Sequence, residues 1–576
     1  MALLEQVYKK IVKLGLLPKL IRALPILPLI LAIIGLGWIS LLPDDGQYRR
    51  TYISENALLP SQAYSYFRES EWNIVRGYRD EILKFNREDK VGNLQEMQTW
   101  IEDIGFKTHI HTSEFGDTLY GIWHVPKGDD TESMVLGAAY FNSDGDFNVG
   151  GMALSIALGR YFHRWNIWSK NIIIVIPENP NLALRHWVNA YHGDLDLTGG
   201  SIEAALMLDY ASDSDNFDYT ELYYEGLNGQ LPNLDYINVA VSVAEHEGSR
   251  ISLHRTPKEE LWNNDYTSRL TILLKSIKEL ALAGIRRPHG NEAFSGWRIQ
   301  AITLKAIGFT GANDITTFGR IPEAVFRSVN NLLEKFHQSF FFYLMLAPRH
   351  FISIGTYLPS AGFFAGSFLL SCLDKMLNSG FEVNYLLKFA PNAALFFVAV
   401  VACALAITLG YPLLPTNTHY VLIAVSVVAS VAVSSIKIRG YNNKEKRILL
   451  RAISALYYTI VLASLLVLNF SLTFAIGTFA IPLCFVNEYP RLSKPVNNVL
   501  NTLLLLISNP FILSVFFSLD FEGGVDEFYQ GLIESWVYLD SYTWGVVVLG
   551  WGAVWAGTAS SLMLVDLERE EKVNTE

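Results

Sequence analysis

Apolar and polar positions divide the chain into one long, mostly polar block and a series of apolar stretches on both sides of it. The block covers residues 43–335, and an apolar stretch at residues 21–42 precedes it. A transmembrane helix needs roughly 20 consecutive apolar residues, so this stretch is predicted to cross a membrane. About seven further spans are predicted after the block, at 351–373, 387–409, 420–438, 449–468, 472–486, 499–519 and 543–565. We therefore expect a polytopic α-helical membrane protein with about eight spans and one globular domain outside the bilayer.

Basic residues in the short loops indicate which side of the membrane each loop faces, because Lys and Arg are enriched in cytosolic loops. They cluster before the first span, after the fourth and after the sixth, as Lys9, Lys10, Lys13, Lys19, Arg22, Lys437, Arg439, Lys444, Lys446, Arg447, Arg491 and Lys494. An even number of spans puts these groups on one side, so residues 1–20 and the tail 566–576 are predicted to be cytosolic. The block at 43–335 and the acidic loop at 520–540 then face the opposite, luminal side.

Strand and helix patterns alternate along the polar block. Short apolar runs predict strands at residues 119–125, 133–139, 171–176, 204–210 and 299–307. Apolar residues at helical spacing predict helices at residues 150–165, 182–191, 234–247 and 265–283. Such alternation is typical of a mostly parallel sheet covered by helices on both faces. The fold class predicted for the block is therefore an α/β/α domain.

A further helix is predicted at the end of the block, from residue 322 to residue 346. Pro322 suits the first position of a helix, and the apolar residues from Val325 onward form one stripe. The stripe widens into an aromatic run at residues 340–343, which is typical of a helix lying along a membrane surface. We expect this membrane-surface helix at residues 336–350. A core helix that leads directly into the second span is the alternative.

Three acidic residues, Asp146, Glu178 and Asp209, follow predicted strands. Ligands of open α/β sheets bind beyond the carboxyl ends of the strands, where carboxylates suit a metal ion. The segments at residues 135–139 and 151–154 resemble the first metal-binding strand and the following helix of the co-catalytic zinc aminopeptidases. The resemblance implies an aminopeptidase-like fold for the domain.

The metal ligands of that family are largely missing from the matching positions. The family's first and last ligands, both histidines, fall on Ala139 and near Asn291. The positions matching its other ligands are Asp146 or Phe147, Glu178, Asn179 and Asp209. A catalytic zinc usually has histidine among its ligands. We therefore expect a retained scaffold with a vestigial site at Asp146, Glu178 and Asp209, and no bound zinc.

Four longer strings, at residues 47–58, 225–234, 287–290 and 333–344, resemble the family of GPI-anchor attachment proteins in its fungal form. The resemblance extends over nearly the whole chain and includes the arrangement of the spans. It implies a subunit of the GPI transamidase complex in the endoplasmic reticulum membrane. In that family a different subunit carries the Cys–His protease-like chemistry. The resemblance therefore implies a non-catalytic partner that binds the GPI lipid and scaffolds the complex.

Polar residues next to the first two spans are candidate contacts for that lipid. Tyr52 and Ser54 follow the first span, and His337, Gln338 and Ser339 precede the second. Hydroxyl, amide and imidazole groups suit phosphate and sugar, and in the family these positions match GPI contacts. The resemblance also implies a divalent cation such as Mg²⁺ near the lipid phosphate, with Gln338 as a candidate ligand. A polar cap at residues 337–339 and a turn with an interfacial tyrosine at Tyr52 are the alternatives.

Charge and span composition bear on other function classes. The formal net charge of −11 argues against a nucleic-acid partner. The centres of the predicted spans carry almost no charged residues, which argues against ion-coupled transport. Asn509 and Pro510 interrupt the seventh span, either to make room for a lipid or partner helix or as packing within the chain. The glycosylation sequon at Asn469 lies in a short turn next to the bilayer. We therefore expect no glycosylation at this residue.

Two alternative functions stay open from the sequence. The first is a metal-dependent enzyme that forms the amide bond to the GPI ethanolamine with Asp146, Glu178 and Asp209. The second is an unrelated lipid transporter with a luminal domain.

Overall fold

The computed structural model describes residues 17–433 and 435–566, and these form two compact units. The α/β unit comprises residues 41–356 together with 538–541. The helical unit comprises the described parts of residues 1–40, 357–537 and 542–576. Most of the predicted cytosolic ends, including Lys9, Lys10 and Lys13, lie outside the described residues.

A mixed eight-stranded sheet forms the centre of the α/β unit. The strands of this unit are β1 (Arg49–Arg50), β2 (Lys107–Ser113), β3 (Gly116–Trp123), β4 (Glu132–Gly137), β5 (Asn171–Pro177), β6 (Ser201–Asp209), β7 (Asn216–Phe217), β8 (Tyr219–Tyr223), β9 (Ile251–Leu253), β10 (Gln300–Ile307), β11 (Asn313–Asp314), β12 (Tyr343–Ala347) and β13 (His350–Ser353). The order in the large sheet is β2-β3-β5-β4-β6-β10-β8-β9. Its four central strands β5, β4, β6 and β10 are parallel, whereas β2-β3, β3-β5 and β10-β8 pair antiparallel. All five predicted strands are confirmed, and the sheet is parallel in its centre.

Helices cover both faces of this sheet. Every residue of β5 is buried. Since successive side chains of a strand point to opposite faces, both faces of the sheet must be covered at β5. Ile174 packs in the cluster that contains the helix Val149–Arg164, and Ile173 packs in the cluster that contains Trp187. The helices are Glu69–Ile82, Lys90–Ile104, Val149–Arg164, Leu182–Gly193, Leu234–His246, Tyr266–Ala281 and Ile315–Asn330. The predicted α/β/α layering and all four helices predicted within residues 150–283 are confirmed.

The segment predicted as a membrane-surface helix at residues 336–350 does not form that helix. The preceding helix, Ile315–Asn330, begins seven residues before Pro322 and ends well before residue 346. The chain then runs irregularly to β12, which forms an antiparallel pair with β13. All five residues of β12 are buried, since the strand also packs against the helix Tyr266–Ala281. A short continuous apolar run suits a buried strand as well as a helix, which explains the error.

Apolar helices form the helical unit. Three of them are long and apolar enough to cross a membrane: Ile354–Leu377, Ala390–Leu413 and Asn443–Leu468. The pair Lys494–Ile507 and Pro510–Asp520, bent by 49°, would be a fourth, and shorter apolar helices are Leu27–Leu41, Thr418–Ala432 and Phe470–Phe485. Residues 543–561 are also helical, with a π-helical segment at Val546–Gly552. Each predicted span therefore contains helix, and the number that cross a membrane stays a prediction.

Two further expectations for this part of the chain can be compared with the structure. The acidic stretch at residues 520–540, expected to be a loop, contains the helix Gly524–Tyr538. Asn469 is 2% exposed, and its Oδ1 accepts a hydrogen bond from the backbone N–H of Leu472 at 2.9 Å. The sequon asparagine therefore acts as the N-cap of the next helix.

The break at Asn509 and Pro510 is filled by side chains of the same unit. Where a helix is interrupted, backbone carbonyl groups lose their partners and need other donors. The indole N–H of Trp551 donates to the carbonyl of Ser508 at 3.0 Å, and that of Trp555 donates to the carbonyl of Leu505 at 2.9 Å. These two hydrogen bonds support the alternative of packing within the chain.

Replacing Asn148 with alanine tests how β6 is fastened to the helix Val149–Arg164. The Asn148 Nδ2 donates to the carbonyl of Leu208 at 2.9 Å, and its Oδ1 accepts from the N–H of Tyr210 at 2.8 Å. The side chain is 1% exposed, so Asn148→Ala leaves two buried backbone groups unpaired. We expect the free energy of unfolding of the α/β unit to fall by about 2–4 kcal/mol, measured by thermal unfolding. The exposed control Asn263→Ala should change it by less than about 0.5 kcal/mol.

Candidate functional site

The segments that carry the five predicted lipid contacts lie side by side in the α/β unit. β1 pairs antiparallel with β13, and the next residue, Thr51, donates its N–H to the carbonyl of Arg349 at 2.9 Å. This pairing brings the start of the unit beside its end. Tyr52 and Ser54 follow directly on the first segment, and residues 337–339 precede β12 on the second.

Two buried carboxylates connect these segments. The Oε1 of Glu55, a residue 4% exposed, accepts hydrogen bonds from the backbone N–H groups of His337 and Gln338, both at 2.8 Å. The Oδ2 of Asp235, which is fully buried, accepts from the N–H groups of Ser54 at 2.8 Å and of Glu55 at 2.7 Å. Buried carboxylates need such charge-assisted bonds to compensate for lost hydration. The carboxylates therefore fix the backbone of both segments.

The side chains of the predicted contacts differ in exposure. Tyr52 is 52% exposed, while its carbonyl is held by the Nδ2 of Asn238 at 2.9 Å. Gln338 and His337 are exposed as well, whereas Ser54 and Ser339 are half-buried. Burial raises the pKa of Asp235, and hydrogen bonds from the Glu55 N–H, the Ser339 hydroxyl and the Ser54 N–H partly offset this. The result is a rigid backbone that leaves a phenol, an imidazole and an amide open to a ligand.

The ring of His337 has a raised pKa. Its Nδ1 donates to the carbonyl of Lys335 at 2.9 Å, which favours the protonated ring. The carboxylates of Glu55 and Glu334 act in the same direction, and burial acts against it. A ring that gains positive charge suits a negatively charged group such as phosphate.

Sequence reasoning missed Glu55 and Asp235, which organise this site. Glu55 adjoins the candidate Ser54, and Asp235 lies in the first turn of the helix Leu234–His246. Either could have been noted as a polar neighbour. No spacing rule relates two residues that lie 180 positions apart, so their contact could not be read from the sequence.

The carboxylates of the predicted vestigial site are held by lysine and asparagine. The Nζ of Lys305 lies 3.1 Å from the Oδ2 of Asp209, and the Nδ2 of Asn142 donates to the Oδ1 of Asp209 at 3.1 Å. Burial raises the pKa of Asp209, and the Lys305 ammonium and Asn142 counteract the shift. Glu178 forms an ion pair with Lys90.

Asp146, the third predicted carboxylate, is not paired with any described lysine. It is exposed, and its backbone N–H donates to the Oδ1 of Asn142 at 2.8 Å. Within residues 17–433 and 435–566, no group of three or more His, Cys, Asp or Glu side chains is arranged to hold a metal ion. A zinc ion would have to displace the ammonium groups of Lys90 and Lys305 from their carboxylates. The residues present do not fit the zinc centre of the aminopeptidases.

A recess of about 440 Å³, including open space at its mouth, lies at the end of β8 and β9 and was not predicted. Glu225 and His254 line it, with the Nδ1 of His254 at 3.3 Å from the Oε1 of Glu225. Burial raises the pKa of Glu225 to about 8 and lowers the pKa of His254 to about 3. Both shifts favour the neutral form of the group.

The backbone beside this recess is strained. His254 and the next residue, Arg255, have φ angles of 54° and 57°, in the left-handed region. Residues other than glycine rarely have a positive φ angle, so two in succession are unusual. The N–H of Arg255 is held by the Oε1 of Glu221 at 2.7 Å, which helps to stabilise this turn.

Fold and site together define a protein that joins an α/β domain to a set of apolar helices, with lysines paired to its acidic strand ends. The chain matches the family model described as Gaa1-like, GPI transamidase component, over residues 115–559. It is 45% identical over 598 aligned residues to the GPI transamidase component GAA1 of Saccharomyces cerevisiae, covering 96% of each chain. The corresponding Schizosaccharomyces pombe protein is 30% identical, with 83% of this chain and 84% of that protein covered. The chain belongs to the Gaa1-like family of GPI transamidase components.

Solved structures are similar only at a low level. The aminopeptidase LapA of Legionella pneumophila matches with 12% identity and a TM-score of 0.33, covering 50% of this chain and 78% of that chain. The glutaminyl cyclase of Porphyromonas gingivalis matches with 13% identity and a TM-score of 0.27, covering 47% and 96%. Similarity of this degree carries no conclusion about the chemistry of the chain.

Substituting Glu55 tests whether its carboxylate holds the segment before β12. In Glu55→Ala, the N–H groups of His337 and Gln338 lose their acceptor. We expect their hydrogen exchange to become about tenfold faster or more, since a hydrogen bond to a charged group contributes about 1.5–3 kcal/mol. Mass spectrometry of peptides covering residues 331–342 measures this. The neighbouring control Glu334→Ala, whose side chain is 80% exposed, should leave the rates unchanged. Equal rates in wild type and Glu55→Ala would contradict the assigned role.

The raised pKa of Glu225 predicts that stability depends on pH. Between pH 4.5, its ordinary pKa, and about 8, folded Glu225 keeps a proton that the unfolded chain releases. Stability therefore falls as the pH rises, by at most about 1.4 kcal/mol per pH unit for one proton. His254 takes up its extra proton in the unfolded state only below about pH 6.5, so the window from 6.5 to 8 isolates the carboxyl groups.

Thermal unfolding of the α/β unit across this pH window measures the effect. Glu292, with a pKa raised by burial to about 7, contributes in the same direction. We expect Glu225→Gln to flatten the pH dependence and the exposed control Glu259→Gln to retain it. An unchanged slope in Glu225→Gln would show that Glu225 is ionised in the folded protein.

Proposed function

We propose that this chain is a non-catalytic subunit of GPI transamidase that binds the GPI lipid and scaffolds the complex. Its membership of the Gaa1-like family supports the assignment to this complex. One observation carries the lipid-binding part of the proposal. The carboxylates of Glu55 and Asp235 bind the backbone N–H groups of residues on both candidate segments and leave Tyr52, His337 and Gln338 exposed.

The chemistry of the exposed groups suits the headgroup of a glycolipid. A partly protonated His337 ring can donate to a lipid phosphate, and the Tyr52 hydroxyl can donate to phosphate or sugar oxygens. The half-buried hydroxyls of Ser54 and Ser339 provide further polar contacts. The amide oxygen of Gln338 is the candidate ligand through which a divalent cation such as Mg²⁺ would join the protein to the phosphate, because hard cations prefer oxygen ligands.

The proposed location is the endoplasmic reticulum membrane, with several spans, cytosolic ends and a luminal α/β unit. Asp540 belongs to the α/β unit and accepts a hydrogen bond from the Nη2 of the buried Arg185 at 3.1 Å. The proposed partners are the other transamidase subunits, including the Cys-protease-like subunit that performs the chemistry.

The alternative is a metal-dependent enzyme that forms the amide bond to the GPI ethanolamine with Asp146, Glu178 and Asp209. The geometry favours it less, because Glu178 and Asp209 are already paired with lysine and Asp146 is exposed. A metal would first have to break two ion pairs. The unrelated lipid transporter is disfavoured by the family membership of the chain.

Capture of GPI lipid by the purified complex tests the proposal. We expect His337→Ala/Ser339→Ala to bind the lipid about tenfold more weakly or worse, because it removes a charge-assisted and a hydroxyl hydrogen bond. Asn331→Ala/Lys335→Ala, which changes exposed neighbours, is the matched control and should bind as the wild type does. Retained subunit assembly, measured by co-purification, excludes a general folding defect. Unchanged lipid capture by the first pair would refute the lipid site.

A second set of variants separates the alternative function. Asp146→Asn/Glu178→Gln/Asp209→Asn keeps the size of each side chain and removes its charge. We expect normal lipid capture and normal anchor attachment in this variant. Lost attachment with normal capture and assembly, together with one zinc per wild-type chain by metal analysis, would instead support the enzyme.

A further inference from the structure

Two buried cations lie close together in the helical unit. Lys375, near the end of the helix Ile354–Leu377, is 9% exposed, and Arg451, in the helix Asn443–Leu468, is 4% exposed. Both line one recess of about 230 Å³, including open space at its mouth. A charged residue buried among apolar helices is costly and marks a functional site by default.

Within the part of the chain that the structure describes, the hydrogen bonds of both side chains go only to neutral groups. The Nζ of Lys375 donates to the carbonyl of Cys484 at 2.9 Å and to the hydroxyl of Ser371 at 3.1 Å. The Nε of Arg451 donates to the hydroxyl of Ser561 at 2.7 Å, and its Nη1 donates to the Oδ1 of Asn487 at 2.9 Å. The Nη2 of Arg451 is buried and has no hydrogen-bond partner among the described residues.

No described carboxylate forms an ion pair with either cation, although Glu488 and Asp374 lie near enough to act on Arg451 and Lys375 electrostatically. Glu488 forms its ion pair with Arg447, and the Oδ1 of Asp374 accepts from the Nδ2 of Asn378 at 2.8 Å. The recess itself is lined by Lys375, Arg451 and the polar groups of Ser371 and Thr558, with apolar and cysteine side chains around them. Two basic side chains, one of them with an unpartnered N–H group, thus lie at one recess.

This arrangement favours a negative ligand. Removing two cations from water costs several kcal/mol each unless an opposite charge compensates, and a guanidinium matches the oxygens of a phosphate. We propose that the recess binds a phosphate group, supplied by the headgroup of an anionic phospholipid. The site lies wholly in the helical unit and is separate from the proposed GPI headgroup site at Tyr52 and His337.

The lipid source is favoured over free phosphate by the helices that form the recess. Lys375 and Arg451 lie on Ile354–Leu377 and Asn443–Leu468, which are both long and apolar enough to cross a membrane. A lipid whose phosphate enters the recess would have apolar helices beside it for its acyl chains. Soluble phosphate offers the same charge without this contact, so the two sources can be separated by experiment.

Thermal unfolding of the purified full-length chain in an uncharged detergent tests the site. Phosphatidic acid, phosphatidylcholine with the same acyl chains, and inorganic phosphate are titrated separately. We expect phosphatidic acid to raise the unfolding temperature in a concentration-dependent way, as a ligand of the folded state does. In Arg451→Gln the apparent affinity should fall about tenfold or more, because a charge-assisted contact is lost. The exposed control Arg439→Gln should behave as the wild type does.

Each outcome decides a part of the proposal. A shift by inorganic phosphate equal to that by phosphatidic acid would support the phosphate site but assign it a soluble ligand. Equal shifts by phosphatidylcholine and phosphatidic acid, or an equal response of wild type and Arg451→Gln, would overturn it. If Arg451→Gln does not fold, Arg451→Lys and Lys375→Gln take its place. Arg451→Lys should keep part of the phosphatidic acid response, and Lys375→Gln should lose it. A full response in Lys375→Gln would overturn the proposed phosphate site.

Discussion

Hydrogen bonds between two buried carboxylates and four backbone N–H groups hold the beginning and the end of the α/β unit together. Glu55 and Asp235 have given up water, and the N–H groups of residues 54, 55, 337 and 338 replace it. The β1-β13 pair alone has only two residues in register, which is too short to fix the segments that follow. The positions of all five candidate lipid contacts therefore depend on these carboxylates.

The two units differ in how their lysines are paired. In the α/β unit, three lysines are paired with acids: Lys305 lies beside Asp209, Lys90 beside Glu178, and Lys170 lies 2.7 Å from Glu203. These acidic strand ends are internally neutralised and have little charge left for a metal ion. In the helical unit, Lys375 and Arg451 have only neutral partners among the described residues. The proposed phosphate ligand would supply a compensating charge in the second unit.

The sequence predicted the elements whose hydrophobic pattern is local. β5 and the helix Val149–Arg164 are long, strongly patterned and buried, so their type follows from composition alone. β2 was missed because it is an edge strand whose only apolar side chain is Ile110. The prediction of a helix at β12 is wrong because a continuous apolar run has neither the helical nor the strand periodicity that would distinguish the two. In these two cases tertiary pairing decides the structure, and single-sequence patterns do not contain it.

The candidate site divides in the same way. Tyr52, Ser54 and residues 337–339 could be chosen because they are polar residues next to apolar stretches, and because of family resemblance. The recess at Glu225 and His254 could not be found, since it depends on two left-handed residues and on contacts between β8, β9 and the segment around Glu292. The lysine partners of Asp209 and Glu178 could not be predicted either, because each lies far along the chain from its acid. Lys90 and Glu178, for example, are 88 positions apart.

The long stretch of chain between Glu55 and its hydrogen-bond partners also determines when during synthesis their contact can form. Glu55 is made early, but the N–H groups of His337 and Gln338 that it binds follow 282 and 283 residues later. Domains fold while the chain is made from its N-terminus, so this contact closes only when nearly all of the α/β unit has emerged. A chain arrested or cleaved before His337 could build most of the sheet and still lack the candidate site. Completion of the domain is thereby a precondition for assembling the candidate site.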